Sequence, residues 1–320
     1  GQNPRVGCAI VAPDGRVVGR GYHRGAGTAH AEVDALAQAG PRAAGATAVV
    51  SLEPCRHTGR TGPCTRALLE AGVARVVFGQ ADPTSAAGGG GAELAAAGVE
   101  VIGGVRAREA LAINGEWTFA VTHGRPFVTW KVAASLDGRV AGADGGPTPL
   151  TGTAARAAVH ELRARVGAII VGTGTALVDD PALTVRRPAG PVGPAGPPPL
   201  RVVVGSRRLP TTARVLDDSA PTLLTAERDP RVLLADLYDR GVRHALLEGG
   251  PTLAAAFCAA QVVDLVEVHL APVLLGSGPV VVASGASPRN LVVHAVDVVG
   301  EDVRVVGHLR PARDEDRRGA

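Results

Sequence analysis

Apolar residues recur in short runs along the chain, and their spacing sorts them into strands and helices. Val6 to Val11 and Arg16 to Arg20 flank a Pro13-Asp14-Gly15 turn, the pattern of a β-hairpin. Helical spacing follows over His30 to Ala39, then a buried-strand run over Ala46 to Leu52, a helix over Cys64 to Ala71, and a strand over Val73 to Phe78 that Asp82-Pro83 stops. Ala92 to Ala97 and Val99 to Ile102 add a helix and a strand, and Arg106 to Ile113 a short helix. Asn114 to Arg125 shows no clear period and reads as a looser segment holding a domain boundary.

A second alternation starts at Pro126. Strand Phe127 to Ala133, helix Ala154 to Arg165 and strands Ala168 to Val171 and Arg201 to Val204 lead it. Helix Val232 to Arg240, strand Ala245 to Leu247 and helix Thr252 to Ala260 continue it, and strands Val266 to Leu270, Leu291 to Val296 and Val303 to Leu309 close it. The run Arg187 to Pro199 is too rich in proline and glycine for a helix or central strand and is expected to loop out. These patterns predict an α/β protein with domains at 1–122 and 123–310, followed by a charged, disordered tail at 311–320.

Length agrees, since 320 residues exceed one ordinary domain and allow two cores. The apolar fraction is 46% with only 2% aromatic, so those cores should be built from Ala, Val and Leu. A formal charge of +3 with two Trp and two Tyr offers neither the basic stripe nor the stacking surface that nucleic-acid binding requires. No run approaches the roughly 20 apolar residues of a membrane span, which makes a cytoplasmic location the expectation. Lys131 is the sole lysine and methionine is absent, so the chain reads as truncated at its N-terminus. Four cysteines do not make a disulfide framework, and each must be core, ligand or nucleophile.

Chemistry concentrates at His30-Ala31-Glu32, Pro54-Cys55 and Cys64. One imidazole and two thiolates leave a tetrahedral Zn²⁺ one open position for water, which marks a catalytic site. A metal there lowers the pKa of bound water toward roughly 7. Glu32, beside the imidazole, is the candidate proton shuttle. Cys8 and Cys258 lie in apolar runs and read as core. Eight residues separate Cys55 from Cys64, unlike the P-C-x-x-C spacing of cytidine deaminases and of nucleic-acid-editing enzymes.

With Asn3, Pro4, Val6 and Gly7, the H-A-E tripeptide, the stretch Leu52 to Cys64 and Asp82-Pro83, the N-terminal half resembles the deaminase half of the bifunctional riboflavin-biosynthesis deaminase/reductase family. The resemblance implies a cytidine-deaminase-like three-layer domain. It also implies zinc-dependent loss of the 2-amino group from 2,5-diamino-6-ribosylamino-4(3H)-pyrimidinone 5′-phosphate. Members of the family have a helix before Asn3. Asn3, His57 and Arg60 stand where the family places polar groups around substrate; His57 and Arg60 either bind the pyrimidine or phosphate or brace the long loop.

Lys131 to Gly138, Val178 to Thr184 with Arg186, and Leu247 to Leu253 resemble the reductase half of the same family. This implies a dihydrofolate-reductase-like α/β domain and NADPH as hydride donor to C1′ of the ring-opened ribose. Gly249-Gly250-Pro251 follows a strand and opens a helix, so backbone N–H groups there can face a dinucleotide phosphate. By the same resemblance Ala133, Thr175, Asp179, Ser206 and Gly250, Pro251, Thr252, Leu253, Ala254, Ala255 and Ala256 would contact NADPH. Arg163, Leu183, Arg186 and Glu248 would contact substrate. The proton comes from an acid or from a water held by Asp179, and spacing does not choose between them. The family pattern is interrupted at Pro147, Pro149, Thr84 and Gly90, which keeps open a divergent paralogue on a related pyrimidine or a zinc-binding pseudoenzyme. The expected partners are a small phosphorylated pyrimidine and a second copy of the chain, a dimer being the most common assembly.

Overall fold

The structure, a computed structural model, describes residues 2–25, 27–58, 62–186, 197–283 and 289–310, and the chain divides into two units, Gly1–Gly124 and Arg125–Ala320. The expected tail and almost all of the proline-rich run lie outside the described residues, as does Arg60.

In the first unit, strands β1 (Gly7–Val11), β2 (Val17–Tyr22), β3 (Thr47–Leu52), β4 (Arg75–Gln80) and β5 (Glu100–Gly103) form one sheet in the order β2-β1-β3-β4-β5. The hairpin strand β1 pairs antiparallel with both β2 and β3, whereas β3, β4 and β5 run parallel. Helices α1 (Ala31–Ala39), α2 (Cys64–Glu70) and α3 (Gly90–Ala96) share one face, and α4 (Ala107–Ile113) takes the other. Adjacent residues of β4 show the two faces. Phe78 reaches Gly91 of α3, and Gly79 lies where a side-chain carbon would meet Ala110 of α4 at 2.6 Å. Successive strand residues point to opposite faces, so this is a three-layer α/β/α sandwich.

Glycines on β2 seat α1. A side-chain carbon on Gly21 would fall 2.2 Å from the Ala31 carbonyl and 2.5 Å from the Ala35 amide, both fixed backbone. Gly21→Ala is therefore expected to destabilise this unit by about 2–3 kcal/mol, as overpacking does. Urea unfolding followed by circular dichroism tests this, and a midpoint equal to that of the unmodified protein would show that α1 does not need the close approach.

The segment expected to be loose, Asn114 to Arg125, contains helix α5 (Gly115–His123). Its Gly, Thr, Val and aromatic residues are weak helix formers, which hid it from a reading of propensity. Tertiary anchoring overrides that: Asn114, 3% exposed, exchanges hydrogen bonds with the Arg5 backbone at 2.7 and 2.9 Å, and its carbonyl accepts from Thr118 N at 2.8 Å. Gly124 ends the helix at φ 66°, a left-handed cap that glycine adopts without strain.

In the second unit, the strands are β6 (Phe127–Ser135), β7 (Ala168–Gly172), β8 (Leu200–Val204), β9 (Thr222–Thr225), β10 (His244–Leu247), β11 (Leu265–Ala271), β12 (Leu291–Val299) and β13 (Asp302–Leu309). They form a sheet ordered β12-β13-β11-β6-β10-β7-β8-β9, in which β13 alone runs against the others. The helices are α6 (Thr153–Arg163), α7 (Thr173–Asp179), α8 (Pro230–Asp239) and α9 (Pro251–Ala259). Val128, Trp130 and Val132 of β6 pack with α8 and α9 in one core. The opposite face carries a smaller core around Ile169, Val171, Val203 and Leu246, flanked by Leu162 of α6. Helix α7 and strand β9 were missed in the sequence, because α7 is short and opens Thr-Gly-Thr, and β9 is a four-residue edge strand. Cys8 and Cys258 are buried free thiols, as expected for core.

Candidate active sites

The first site gathers where three elements converge. His30 sits at the N-cap of α1 with extended backbone (φ −69°, ψ 159°), Cys55 follows β3, and Cys64 is the first residue of α2. His30 Nδ1 lies 3.2 Å from Cys64 Sγ and 3.5 Å from Cys55 Sγ, and all three ligand atoms fall within 4.8 Å of one another. Tetrahedral zinc with ordinary bond lengths separates its N and S ligands by about 3.6 Å. The donor set and its spacing therefore fit zinc.

The electrostatics support the same use. Hydrogen bonding to Cys64, and then to His30, pushes the Cys55 thiol down to about 4, against its burial. The same contact from Cys55, reinforced by burial, pushes the Cys64 thiol up, and the hydrogen bond to Cys55 raises His30. Cys55 is thus held as a thiolate, the form in which a sulfur ligand binds a divalent cation. Glu32, 3% exposed in the first turn of α1, stands outside the ligand triad. Burial pushes its carboxyl up to about 7. A carboxyl in that range can both take and return a proton near neutral pH.

His23 was overlooked in the sequence, where its only signal is a second histidine shortly before the H-A-E tripeptide. Its Nε2 meets Asn3 Nδ2 at 2.8 Å, its Nδ1 lies 3.1 Å from the Ala29 carbonyl, and its ring stands edge-on to His30 at 5.3 Å. His57 is exposed on the loop before Cys64. The two interrupted positions also have local explanations. Thr84 donates its amide and hydroxyl to Asp82 Oδ1 at 2.8 and 2.6 Å. A side-chain carbon on Gly90 would lie 1.8 Å from the Pro54 carbonyl, so glycine lets α3 start against the ligand loop.

The second site is a cleft of about 990 Å³ in the second unit. Ala133, Thr175, Asp179 and Ser206 line it, as do Gly250 to Leu253, Ala256, Arg163, Leu183 and Glu248. Three residues expected there are not part of its lining: Ala254 is fully buried in the α8/α9 core, Ala255 follows it on α9, and Arg186 sits beside α6 with its amide 3.2 Å from His160 Nδ1. Helical periodicity explains the two alanines, since successive residues of α9 cannot all face one cavity. Pro147 and Pro149 line the cleft too, so those changes fall where a ligand would lie.

The glycine turn is more committed than its sequence suggests. Gly250 caps α9 and its N–H donates to Thr175 Oγ1 at 3.1 Å, while Pro251 brings no N–H at all. Fewer amides are therefore free for a phosphate than Gly-Gly-Pro implies. Arg163 and Glu248 form a bidentate pair, 2.7 Å at both contacts, with side chains 14% and 12% exposed. Burial alone would raise the Glu248 carboxyl, but Arg163, helped by Lys131, holds it below its ordinary value. Burial raises Asp179. Lys131, which opens the stretch resembling the reductase half but was given no contact role there, also lines this cleft.

Among the described residues no helix is long and apolar enough to cross a membrane. Residues 1–80 match the cytidine and deoxycytidylate deaminase zinc-binding region, and residues 126–305 match the RibD C-terminal domain. The chain is 48% identical to riboflavin biosynthesis protein RibD of Mycobacterium tuberculosis over 289 residues, covering 90% of this chain and 84% of that protein. It is 42% identical to the Escherichia coli protein of the same name, covering 86% and 83%. Among solved structures, Acinetobacter baumannii RibD superposes with a TM-score of 0.89 at 36% identity over 97% of this chain and 93% of that one. A Thermotoga maritima diaminohydroxyphosphoribosylaminopyrimidine deaminase/5-amino-6-(5-phosphoribosylamino)uracil reductase gives 0.84 at 30% identity over 96% and 93%.

Proposed function

The chain belongs to the RibD family of riboflavin-biosynthesis proteins, and from that membership and its two sites we infer how its residues divide the chemistry. It is a bifunctional enzyme with a zinc-binding deaminase domain and an NADPH-dependent reductase domain. We assign as substrate 2,5-diamino-6-ribosylamino-4(3H)-pyrimidinone 5′-phosphate, deaminated first and reduced second. The observation that carries the reading is the convergence of His30, Cys55 and Cys64 with Glu32 buried beside them and outside the triad.

His30, Cys55 and Cys64 would hold the zinc, which when bound supplies a Lewis acid that activates water at neutral pH. Glu32 takes a proton from the attacking water and gives protons to the ring nitrogen and to the departing amine, so that C–NH₂ and water become C=O and ammonia. In the reductase cleft NADPH, when bound, supplies the hydride for C1′ of the opened ribose. Thr175 and the start of α9 orient the dinucleotide, and Arg163, Glu248 and Lys131 line the part of the cleft that takes the substrate. A cytosolic location and a homo-oligomeric state complete our reading; the second is supported by Val296 and Val298, 63% and 77% exposed on edge strand β12.

Turnover with defined metal tests the proposal. Protein loaded with one zinc should release ammonia from the diaminopyrimidine and then oxidise NADPH. Protein stripped by a chelator should lose ammonia release and regain it with zinc, while still oxidising NADPH when given the deaminated compound. Zinc-loaded protein that releases no ammonia would refute the deaminase assignment.

A further inference from the structure

The face of the second sheet opposite the α8/α9 core carries a row of charges that the sequence does not reveal. In register, Glu267 of β11 lies directly across from Lys131 of β6. On the other side of β6, Trp130 pairs with Leu247 of β10, which sets Glu248 in the next position, beside Lys131. Neighbouring strands lie about 4.8 Å apart, and paired residues share a face. The sole lysine of the chain therefore stands between two carboxylates at the inner wall of the cleft.

These two carboxylates are not equivalent. Glu248 is taken up by the bidentate guanidinium of Arg163. Glu267 accepts from His269 Nε2 at 2.8 Å, and His269 is fully buried. His269 Nδ1 is buried without a hydrogen-bond partner, so an Nε2–H tautomer leaves a bare lone pair there and not a stranded N–H. The Nε2–H contact orients the Glu267 carboxylate. The remaining groups that act on Lys131 are Asp302, whose Oδ2 caps the start of α6 through Gly152 N at 2.8 Å, and Arg163 from the end of α6. Arg304, across from His269, is itself paired with Asp297 at 2.7 Å.

We propose that Glu267, held by His269, is a positioning residue for Lys131, keeping that ammonium charged and fixed beside Glu248 to bind an oxygen acceptor of the reductase substrate. The proposal rests on the reductase reading above. Burial pushes the Lys131 ammonium down, and Glu248, Glu267 and Asp302 oppose it. With Glu248 matched by Arg163, Glu267 and Asp302 are the carboxylates left to balance the lysine, and Glu267 is the one directly across from it in register.

A chain with one lysine permits a direct test. Lysine labelled with ¹³C at Cε gives a single side-chain resonance, and its shift against pH reads the ionisation of Lys131 in the full-length protein. Glu267→Gln, close in shape, should lower that midpoint by about one pH unit, the effect of removing an adjacent opposite charge. It should also raise the KM for the deaminated substrate about tenfold, bring the alkaline limb of the reductase profile down by the same unit, and leave ammonia release unchanged. His269→Phe should reproduce the shift and His269→Gln, which keeps a donor, should restore the wild-type midpoint. A Lys131 midpoint unmoved in Glu267→Gln and His269→Phe, with only thermal stability reduced, would overturn the proposal and leave the pair a structural element. Absence of NADPH oxidation in the wild type would instead refute the reductase reading, and the resonance would still decide the positioning role.

Discussion

Glu32→Gln is expected to lower ammonia release about 10³-fold while zinc content stays at that of the wild type. The two side chains have nearly the same shape, so the buried position in the first turn of α1 remains filled. What is lost is a group that can accept and return protons. Glu32 is not one of the three ligand atoms, and its removal leaves the imidazole and both sulfurs in place. Deamination requires proton delivery to the ring nitrogen and to the leaving amine, and one carboxyl serves both, hence the large factor. The measurement is single-turnover ammonia release on zinc-quantified protein, with NADPH oxidation of the deaminated compound as a control that should not move. Loss of zinc together with activity would place Glu32 in the metal shell and refute its role as shuttle. Cys64→Ser should behave in the opposite way, losing zinc and ammonia release together.

The deaminase site was legible in the sequence because its ligands sit at element boundaries that the hydrophobic pattern marks. His30 precedes a helical period, Cys55 follows a buried strand run, and Cys64 opens the next helix, so local spacing carries most of the geometry. His23 was not legible, because its approach to His30 is set by how β2 and the following loop fold back. In the second unit the glycine turn and the alternation of strands and helices were readable, but not which amides the turn leaves free. That depends on Thr175, supplied by a helix the pattern did not reveal. The Glu267, Lys131 and Glu248 row was hidden for a related reason. Parallel register across β11, β6 and β10 joins residues far apart in the chain, and no local period encodes it. Helix α5 escaped because contacts of Asn114, and not propensity, hold it.

Glu248→Gln should cost the second unit about 3 kcal/mol and lower reductase turnover at least 10²-fold, and a double substitution separates the two effects. Arg163 and Glu248 are mostly buried, so removing the carboxylate charge strands a guanidinium in a medium that solvates it poorly. For a domain of this size the loss corresponds to a fall of roughly 6–12 °C in the melting temperature. Replacing both members, as Arg163→Met with Glu248→Leu, removes the stranded charge and should return stability to within about 1 kcal/mol of the wild type. If the pair were only structural, activity would return with stability. If it orients substrate in the cleft, the double variant melts like the wild type, binds NADPH, and still fails to reduce the deaminated compound. Calorimetry, cofactor binding and NADPH oxidation on the three proteins distinguish these cases, and recovery of turnover in the double variant would remove the pair from the reductase site.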